Sequence, residues 1–237
     1  MSVEVLLTKS QNRESRAELR RRGLSFVSSY PERVLRKLGI LRGVNLGDIY
    51  KSWDVLKTTE FIESNVRQDG RILDLGACGS EALCILSRLG YPNLLGIDLN
   101  PRISSMPKPV RYAVGDFMQL PFRDASFEAV TAISVIEHGF HAEALLKELT
   151  RVVKPGGYFV ASVDYWPKKI ETEGVQEYGM TWRIFSQPEI NEFLQKASAF
   201  GFCPIGRVSL EAEEKTVSWM GKEYTFAWFA LQKGHAS

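Results

Sequence analysis

The sequence predicts an α/β fold of three layers, in which a mostly parallel sheet is covered on both faces by helices. From residue 71 onward, short β-rich runs alternate with segments whose apolar residues recur at helical spacing, which is typical of such a sheet. Near the end of the chain two β-rich segments follow each other without a helix, so we expect them to be antiparallel. The 237 residues, 44% of them apolar and 24% charged, are enough for one hydrophobic core and exclude large-scale disorder.

Turn and capping residues set the boundaries of the predicted elements. The second strand is closed by Asn100-Pro101, and Ser186 with Glu189 forms a capping box at the start of the last helix. The predicted strands are 71–75, 94–98, 110–114, 129–133, 158–163, 205–210 and 224–231, the last two forming the antiparallel hairpin. The predicted helices are 31–38, 52–66, 80–89, 141–153 and one that starts at Ser186 and stops at Gly201.

Positive charge is concentrated at the start of the chain. Residues 1–51 carry 11 Lys and Arg against 5 Asp and Glu, a net +6 within a chain whose total is +2. We therefore predict a basic N-terminal segment and flap over 1–50 and the main domain over 51–237. The arginines suit a nucleic-acid backbone or an anionic lipid surface, whereas the interleaved Glu14 and Glu18 favour a solvated arm or helix.

Several classes of protein are excluded by what the sequence lacks. No stretch approaches the roughly 18 uninterrupted apolar residues of a membrane span, and the first residues do not have the pattern of a secretory leader. We therefore expect a cytoplasmic protein. Three cysteines without a Cys-x-x-Cys pair predict neither a disulfide framework nor a metal site.

The stretch from Ile72 to Ser80 is the most informative for chemistry. A strand that runs into small residues and then a helix lets the polar end of a ligand approach free backbone amides. Asp98 ends the next strand, where a carboxylate can accept both hydroxyls of a ribose, so a nucleoside-containing ligand is predicted. A dinucleotide pattern would need glycine at Cys78 and Glu81, and neither is glycine.

At this point the sequence resembles the class I S-adenosylmethionine-dependent methyltransferases. The first motif of that family is an acid, any residue, and then glycines at alternate positions, and Asp74, Gly76, Cys78 and Ser80 stand there. The resemblance continues for about 160 residues through four further motifs: Leu95 to Pro101, Gly115 to Phe117 with Leu120 to Phe122, Asp124 to Glu128, and Val153 to Gly157.

The resemblance implies a fold, a cofactor and a set of binding residues. The fold would be Rossmann-like, with a seven-stranded mixed sheet and an antiparallel last hairpin, residues 51–237 would form the methyltransferase domain, and the cofactor would be S-adenosyl-L-methionine. Asp98 would bind the ribose, Leu99 would lie against the adenine, and Asp116 would accept the adenine amino group. The full implied cofactor-binding set is Asp74, Gly76, Ala77, Cys78, Asp98, Leu99, Asp116, Phe117 and Ser134.

Structural alternatives stay open for several of these residues. Asp74 can hold its turn, and Asp116 can cap the short helix that follows it. Phe117 stands next to a predicted ligand acid, although phenylalanines are more often part of a core.

The acceptor side is predicted from the residues that follow the fourth and fifth predicted strands. The segment Ser134 to His138 lacks the Asn-Pro-Pro-aromatic motif of amino-directed nucleic-acid methyltransferases, which disfavours adenine and cytosine acceptors. His138 and Glu137 are the candidate catalytic residues, His138 as a general base or as a structural histidine. Positioning alone can also accelerate methyl transfer. The aromatic and basic residues between Asp164 and Phe185 suit the lining of an acceptor pocket, although such residues also order a long loop.

These observations predict a methyltransferase that acts on a small molecule, with oxygen on a glycan-like or secondary-metabolite substrate as the acceptor. Nucleic acid is disfavoured as a partner, and the oligomeric state stays open. One alternative is a catalytically silent cofactor-binding or regulatory protein on the same fold. Another is an RNA or protein methyltransferase that docks through its basic N-terminus.

Overall fold

A computed structural model describes residues 3–139 and 141–235, and residues 1, 2, 140, 236 and 237 lie outside this description. The helices are α1 (Lys9–Arg21), α2 (Tyr30–Lys37), α3 (Ser52–Asn65), α4 (Ala82–Arg88), α5 (Ala142–Val152) and α6 (Gln187–Ala199). The strands are β1 (Val3–Val5), β2 (Ile72–Leu75), β3 (Leu94–Asp98), β4 (Arg111–Val114), β5 (Phe127–Ile133), β6 (Val153–Tyr165), β7 (Gln176–Glu177), β8 (Met180–Thr181), β9 (Phe202–Pro204), β10 (Val217–Trp219) and β11 (Lys222–Lys233).

The main sheet has the order β1-β11-β6-β5-β2-β3-β4. Strands β6, β5, β2, β3 and β4 are parallel neighbours, whereas β11 runs antiparallel to β6. The predicted seven-stranded mixed sheet with a reversed strand near its edge is confirmed. Because β2, β3, β5 and β6 are parallel, their carboxyl ends meet at one edge, and the loops that follow them can build one site.

Helices cover both faces of this sheet. One core cluster packs α5 and α6 against one face, through residues such as Leu149 and Phe193. Two further clusters pack α3 and α4 against the other face, through residues such as Ile62 and Leu83. Leu19 of α1 packs on the outer side of these two helices. Helix α6 starts with the predicted capping box, since the Glu189 carboxylate accepts the Ser186 amide at 2.8 Å. No helix in 3–139 and 141–235 is long and apolar enough to cross a membrane.

The predicted strand 205–210 is wrong. The chain enters β9 directly after α6, and β9 pairs antiparallel with β11, with Pro204 opposite Leu231. The edge of β11 that 205–210 would have used is taken by β1, whose Val3 lies opposite Phe229. Segment 205–210 therefore passes outside β1, to which an isolated bridge between Val208 and Val3 joins it.

The first 50 residues contribute to the fold as well as to its surface. Strand β1 joins the main sheet, and α1 packs on α3 with Arg16 and Leu19 buried. The N-terminal segment is thus helical, as one sequence interpretation had it, but part of it is buried. The division at residue 50 stays a prediction.

Candidate active site at the carboxyl edge of the sheet

The loop after β2 crosses the loop after β5 at close range. Gly76 has a φ of +65°, which favours glycine, and a Cβ atom placed there would lie 2.4 Å from Cγ2 of Val135. The sequence motif therefore needs glycine at this position for two reasons, backbone conformation and space. The crossing brings the predicted cofactor loop within contact of the segment that carries Glu137 and His138.

Asp98 joins two loops at the end of β3. Its Oδ2 accepts the amide of Cys78 at 3.0 Å, and its Oδ1 accepts the amide of Asn100 at 2.7 Å. A carboxylate offers about four acceptor positions, so two remain for hydroxyl groups of a ligand. The neighbouring Leu99 is 51% exposed and offers an apolar surface beside this carboxylate.

Two buried polar side chains, at the ends of β2 and β5, each have an oxygen without a hydrogen-bond partner among the described residues. Asp74 accepts a hydrogen bond from Thr131 Oγ1 at 2.6 Å, but its Oδ2 has no partner among the described residues. Burial raises the pKa of Asp74 to about 7. Ser134 is held at a φ of +48° and is 6% exposed, and its Oγ also lacks a partner within the described chain. Buried polar atoms are rarely left unpaired, so these two oxygens fit a polar ligand such as the implied cofactor.

Asp116 and Phe117 are placed differently. The exposed Asp116 accepts the amide of Met118 at 2.8 Å and so caps the turn after β4. Phe117 is 8% exposed and packs in the core cluster that includes Ile97 and Leu120. Both residues therefore have structural roles in this state, and their contacts with a cofactor stay predictions. Ala77 is buried, and its amide donates to the carbonyl of Ile97.

The first turn of α4 is occupied by a buried ion pair. Glu81 accepts from Arg16 at 2.5 Å and from the amide of Phe26 at 2.8 Å, and its side chain is 0% exposed. This carboxylate stands where a dinucleotide-binding helix would receive a pyrophosphate, and it would repel one. The structure thus agrees with the sequence argument against a dinucleotide.

Glu137 lies just beyond β5 and is 1% exposed. Its carbonyl accepts the amide of Arg183 at 3.0 Å, which fixes the backbone, yet neither Oε1 nor Oε2 has a hydrogen-bond partner within the described residues. Burial, with a smaller contribution from the charge of Asp164, raises its pKa well above the usual range, and Lys51 opposes that rise. Glu137 is therefore a carboxyl group that binds a proton more tightly than an exposed glutamate does.

His138 follows Glu137 and points toward different partners. Its ring packs edge-on against Tyr178, with centroids 5.3 Å apart, and its Nδ1 lies 3.9 Å from Glu177 Oε2. Burial and the positive charge of Lys51 lower its pKa to about 4. At neutral pH the ring is uncharged and is a weaker proton acceptor than an exposed histidine.

Two residues of this site had no signal in the sequence. Asp54 of α3 is fully buried and accepts from Ser162 Oγ at 2.7 Å, and burial raises its pKa to about 6. Lys51 precedes α3 and acts electrostatically on Asp54, Glu137 and Asp164. Both lie at the start of the predicted main domain, before the first motif, so only the tertiary structure brings them to the edge.

Asp164 closes the cluster at the end of β6, where the sequence predicted lining of the acceptor pocket. It accepts from Trp182 Nε1 at 2.8 Å, and burial raises its pKa to about 7. Beside it lies a cavity of about 440 Å³, a size that suits a small molecule. Its lining includes Glu137, Lys169, Glu171, Thr172, Trp182 and Arg183.

Comparison with known proteins identifies the central part of the chain. The model of a family described as a methyltransferase domain matches residues 73–161. The sterol 24-C-methyltransferase of Pneumocystis carinii is 23% identical over 150 residues, which are 59% of this chain and 39% of that enzyme. The norajmaline N-methyltransferase of Rauvolfia serpentina is 27% identical over 118 residues, 45% of this chain and 40% of that enzyme. The chain thus spans about two fifths of the length of these two relatives.

A solved structure gives the same fold. The S-adenosylmethionine-dependent methyltransferase of Methanosarcina mazei superposes with a TM-score of 0.58 at 18% identity, covering 74% of this chain and 98% of that one. This likeness concerns the fold, and the domain match and the ordered motifs concern the sequence. The sequence match shows that residues 73–161 form a methyltransferase domain, and the solved structure shows that this domain has the fold of S-adenosylmethionine-dependent methyltransferases.

Proposed function

We propose that the protein transfers the methyl group of S-adenosylmethionine to a hydroxyl group of a small-molecule acceptor, with Glu137 as the group that receives the hydroxyl proton. The observation that carries this proposal is the buried Glu137 carboxyl group, which lines the cavity beside the carboxyl end of β5 and whose two oxygens have no hydrogen-bond partner among residues 3–139 and 141–235. A glycan-like or secondary-metabolite acceptor agrees with the aromatic and charged residues of this cavity.

The residues at the ends of β2, β3 and β5 fit the cofactor. Asp98 would hold the ribose hydroxyls with its remaining acceptor positions, and the oxygens of Asp74 and Ser134 that lack a partner in the described part of the chain would meet polar groups of the methionine part. When bound, the cofactor supplies a methyl group made electrophilic by its sulfonium sulfur. The contact between Gly76 and Val135 supports a cofactor position next to the segment that carries Glu137.

Glu137 suits a proton acceptor better than His138 does. A carboxylate whose pKa is raised takes up a proton more readily than a histidine whose pKa is lowered. Burial raises the pKa of Glu137, whereas it lowers the pKa of His138 to about 4. In this proposal Glu137 takes the proton at a carboxylate oxygen, and His138 orders the segment around Tyr178 by packing against its ring.

The substitution Glu137→Gln tests the proposal because glutamine keeps the size of the side chain and removes its basicity. We expect turnover to fall by roughly 10²- to 10⁴-fold, the usual contribution of a general base. Binding of S-adenosylhomocysteine, measured by calorimetry, should change little. The matched control is Glu171→Gln, an exposed carboxylate that lines the same cavity.

Full turnover in both the Glu137→Gln and the Glu171→Gln variants would contradict the proton-acceptor role. A protein that binds S-adenosylhomocysteine but releases none from S-adenosylmethionine with any acceptor would instead be the cofactor-binding protein without catalysis. A loss in His138→Ala alone would return the role to His138.

An amine acceptor is the second candidate, and one observation favours it. Asp54, Glu137 and Asp164 are all buried at the same edge, and an ammonium group would compensate their charge. The name of the Rauvolfia relative specifies transfer to nitrogen, and that of the Pneumocystis relative specifies transfer to carbon. Paired acceptors that share a skeleton and differ in hydroxyl or amine distinguish the two candidates by product mass.

A further inference from the structure

Helix α2 and the turn after it expose an apolar surface. None of the helix residues is buried, and Tyr30, Leu38 and Ile40 are 80%, 65% and 69% exposed. We call the flap face the exposed apolar residues of this segment: Tyr30, Val34, Leu35, Leu38, Ile40 and Leu41. A helix on a protein surface ordinarily turns such residues toward the core.

Polar contacts hold this helix with its apolar side outward. Arg33 Nε donates to the Ser28 carbonyl at 3.0 Å, and Arg36 donates to Ser28 Oγ at 3.1 Å. Ser28 in turn exchanges hydrogen bonds with Leu46, from its amide to the Leu46 carbonyl and from the Leu46 amide to its Oγ, both at 2.9 Å. Two arginines of the helix thus face the protein, and their hydrogen bonds hold the flap face toward the outside.

The charge of the same region favours one kind of partner. Residues 30–42 carry four Lys and Arg against one Glu, a net +3, and Lys37 and Arg42 are exposed within and just after α2. A second copy of the chain on this surface would bring two such positive segments together. A nucleic acid would match the charge but would leave the flap face without an apolar partner. An anionic bilayer surface matches both, because acyl chains take the apolar residues and acidic headgroups attract the cations.

We propose that the flap face docks this protein on an anionic lipid bilayer. The flap face is joined to the site through the segment that follows it, since the Gly47 amide donates to the Gly79 carbonyl of the cofactor loop at 2.8 Å. Docking there places the bilayer beside the loop that follows β2. Lipid binding is a property of the flap face itself and does not require methyl transfer.

Vesicle flotation of the full chain tests this proposal without an activity assay. The probes are phosphatidylcholine vesicles with and without phosphatidylglycerol. We expect the protein to float only with vesicles that contain phosphatidylglycerol and to dissociate as salt rises. The double substitution Leu38→Ser with Ile40→Ser should weaken binding at least about tenfold. Lys37→Glu with Arg42→Glu should weaken it by about fivefold or more per charge.

The matched control removes exposed apolar residues elsewhere, Ile205→Ser with Trp219→Ser, which are 43% and 50% exposed in the parent. If this variant binds vesicles within about twofold of the parent, the result supports docking through the flap face, since surface changes at a distance usually have small effects. No flotation, or equal loss in the control, overturns the proposal. Two other outcomes overturn the proposal if the protein does not float with vesicles. One is self-association that is abolished by Leu38→Ser with Ile40→Ser, and the other is RNA binding that is abolished by Lys37→Glu with Arg42→Glu.

Discussion

Asp98 holds two loops together and keeps acceptor positions for a ligand. Its two carboxylate oxygens accept the amides of Cys78 and Asn100, so it holds the turn after β2 against the turn after β3. The remaining acceptor positions point to a ligand role that the family resemblance also implies. Loss of this side chain should therefore reduce affinity and loosen the loop at the same time.

The substitution Asp98→Ala should weaken binding of S-adenosylhomocysteine by roughly 1.5 to 3 kcal/mol, about 10- to 150-fold, the usual value of hydrogen bonds to a charged group. Calorimetric titration measures this. Asp98→Asn keeps an acceptor for the Cys78 amide, so it should lose less affinity than alanine. Equal affinity of parent and Asp98→Ala would exclude the ribose role.

At the scale of elements, one buried ion pair fastens the N-terminal segment to the domain. The Arg16 guanidinium donates to Ser52 Oγ, to Ser25 Oγ, to the Asp48 carbonyl and to Glu81. It therefore links α1, the loop before α2, the start of α3 and the N-terminal turn of α4. Removing one partner of a buried pair leaves the other charge uncompensated, which is costly.

Arg16→Met should lower the free energy of unfolding by about 3 to 5 kcal/mol, measured by urea denaturation. The control is Arg21→Met on the same helix, whose pair with Glu18 is largely exposed and should contribute far less to the free energy of unfolding. Adding Glu81→Met to Arg16→Met should recover part of the loss. Equal effects of the Arg16 and Arg21 substitutions would show that burial of the pair does not matter.

At the scale of the whole molecule, the carboxyl edge of the sheet holds buried carboxyl groups whose ionisation is energetically unfavourable. Burial raises the pKa values of Asp54, Asp74 and Asp164 to between about 6 and 7. Each of these groups binds its proton more tightly in the folded state than in the unfolded chain. Their contribution therefore favours folding in acid and is lost as the pH rises from about 4 through about 7.

The substitution Asp74→Asn isolates this effect, because asparagine can still accept from Thr131. Relative to the parent, the variant should gain about 2 to 4 kcal/mol in free energy of unfolding between about pH 4 and pH 8, at 1.4 kcal/mol for each unit of pKa shift. Denaturation at a series of pH values, without cofactor, measures it. The exposed Glu171→Gln variant should follow the parent. A constant difference between Asp74→Asn and the parent at all pH values would contradict the burial argument.

Much of the fold follows from local patterns. The parallel strands, the capping box at Ser186 and the reversed final strand were all predicted and are confirmed. The strand at 205–210 was not confirmed, because its pairing depended on whether β1 had taken the edge of β11. Strand pairing between residues more than 200 positions apart leaves no local trace in the sequence.

The sequence by itself determined the alternation of parallel strands and helices between residues 71 and 201, the loop glycines and the acids at the ends of β2 and β3, because each of these depends on a few neighbouring residues. Only the tertiary structure decided which groups share the site. Lys51 and Asp54 join Glu137 and Asp164 there, and Arg16 reaches Glu81, through chain segments that are distant in sequence. Burial, and with it the raised pKa of Glu137 and the lowered pKa of His138, is a property of that packing, so no sequence motif could assign the proton acceptor.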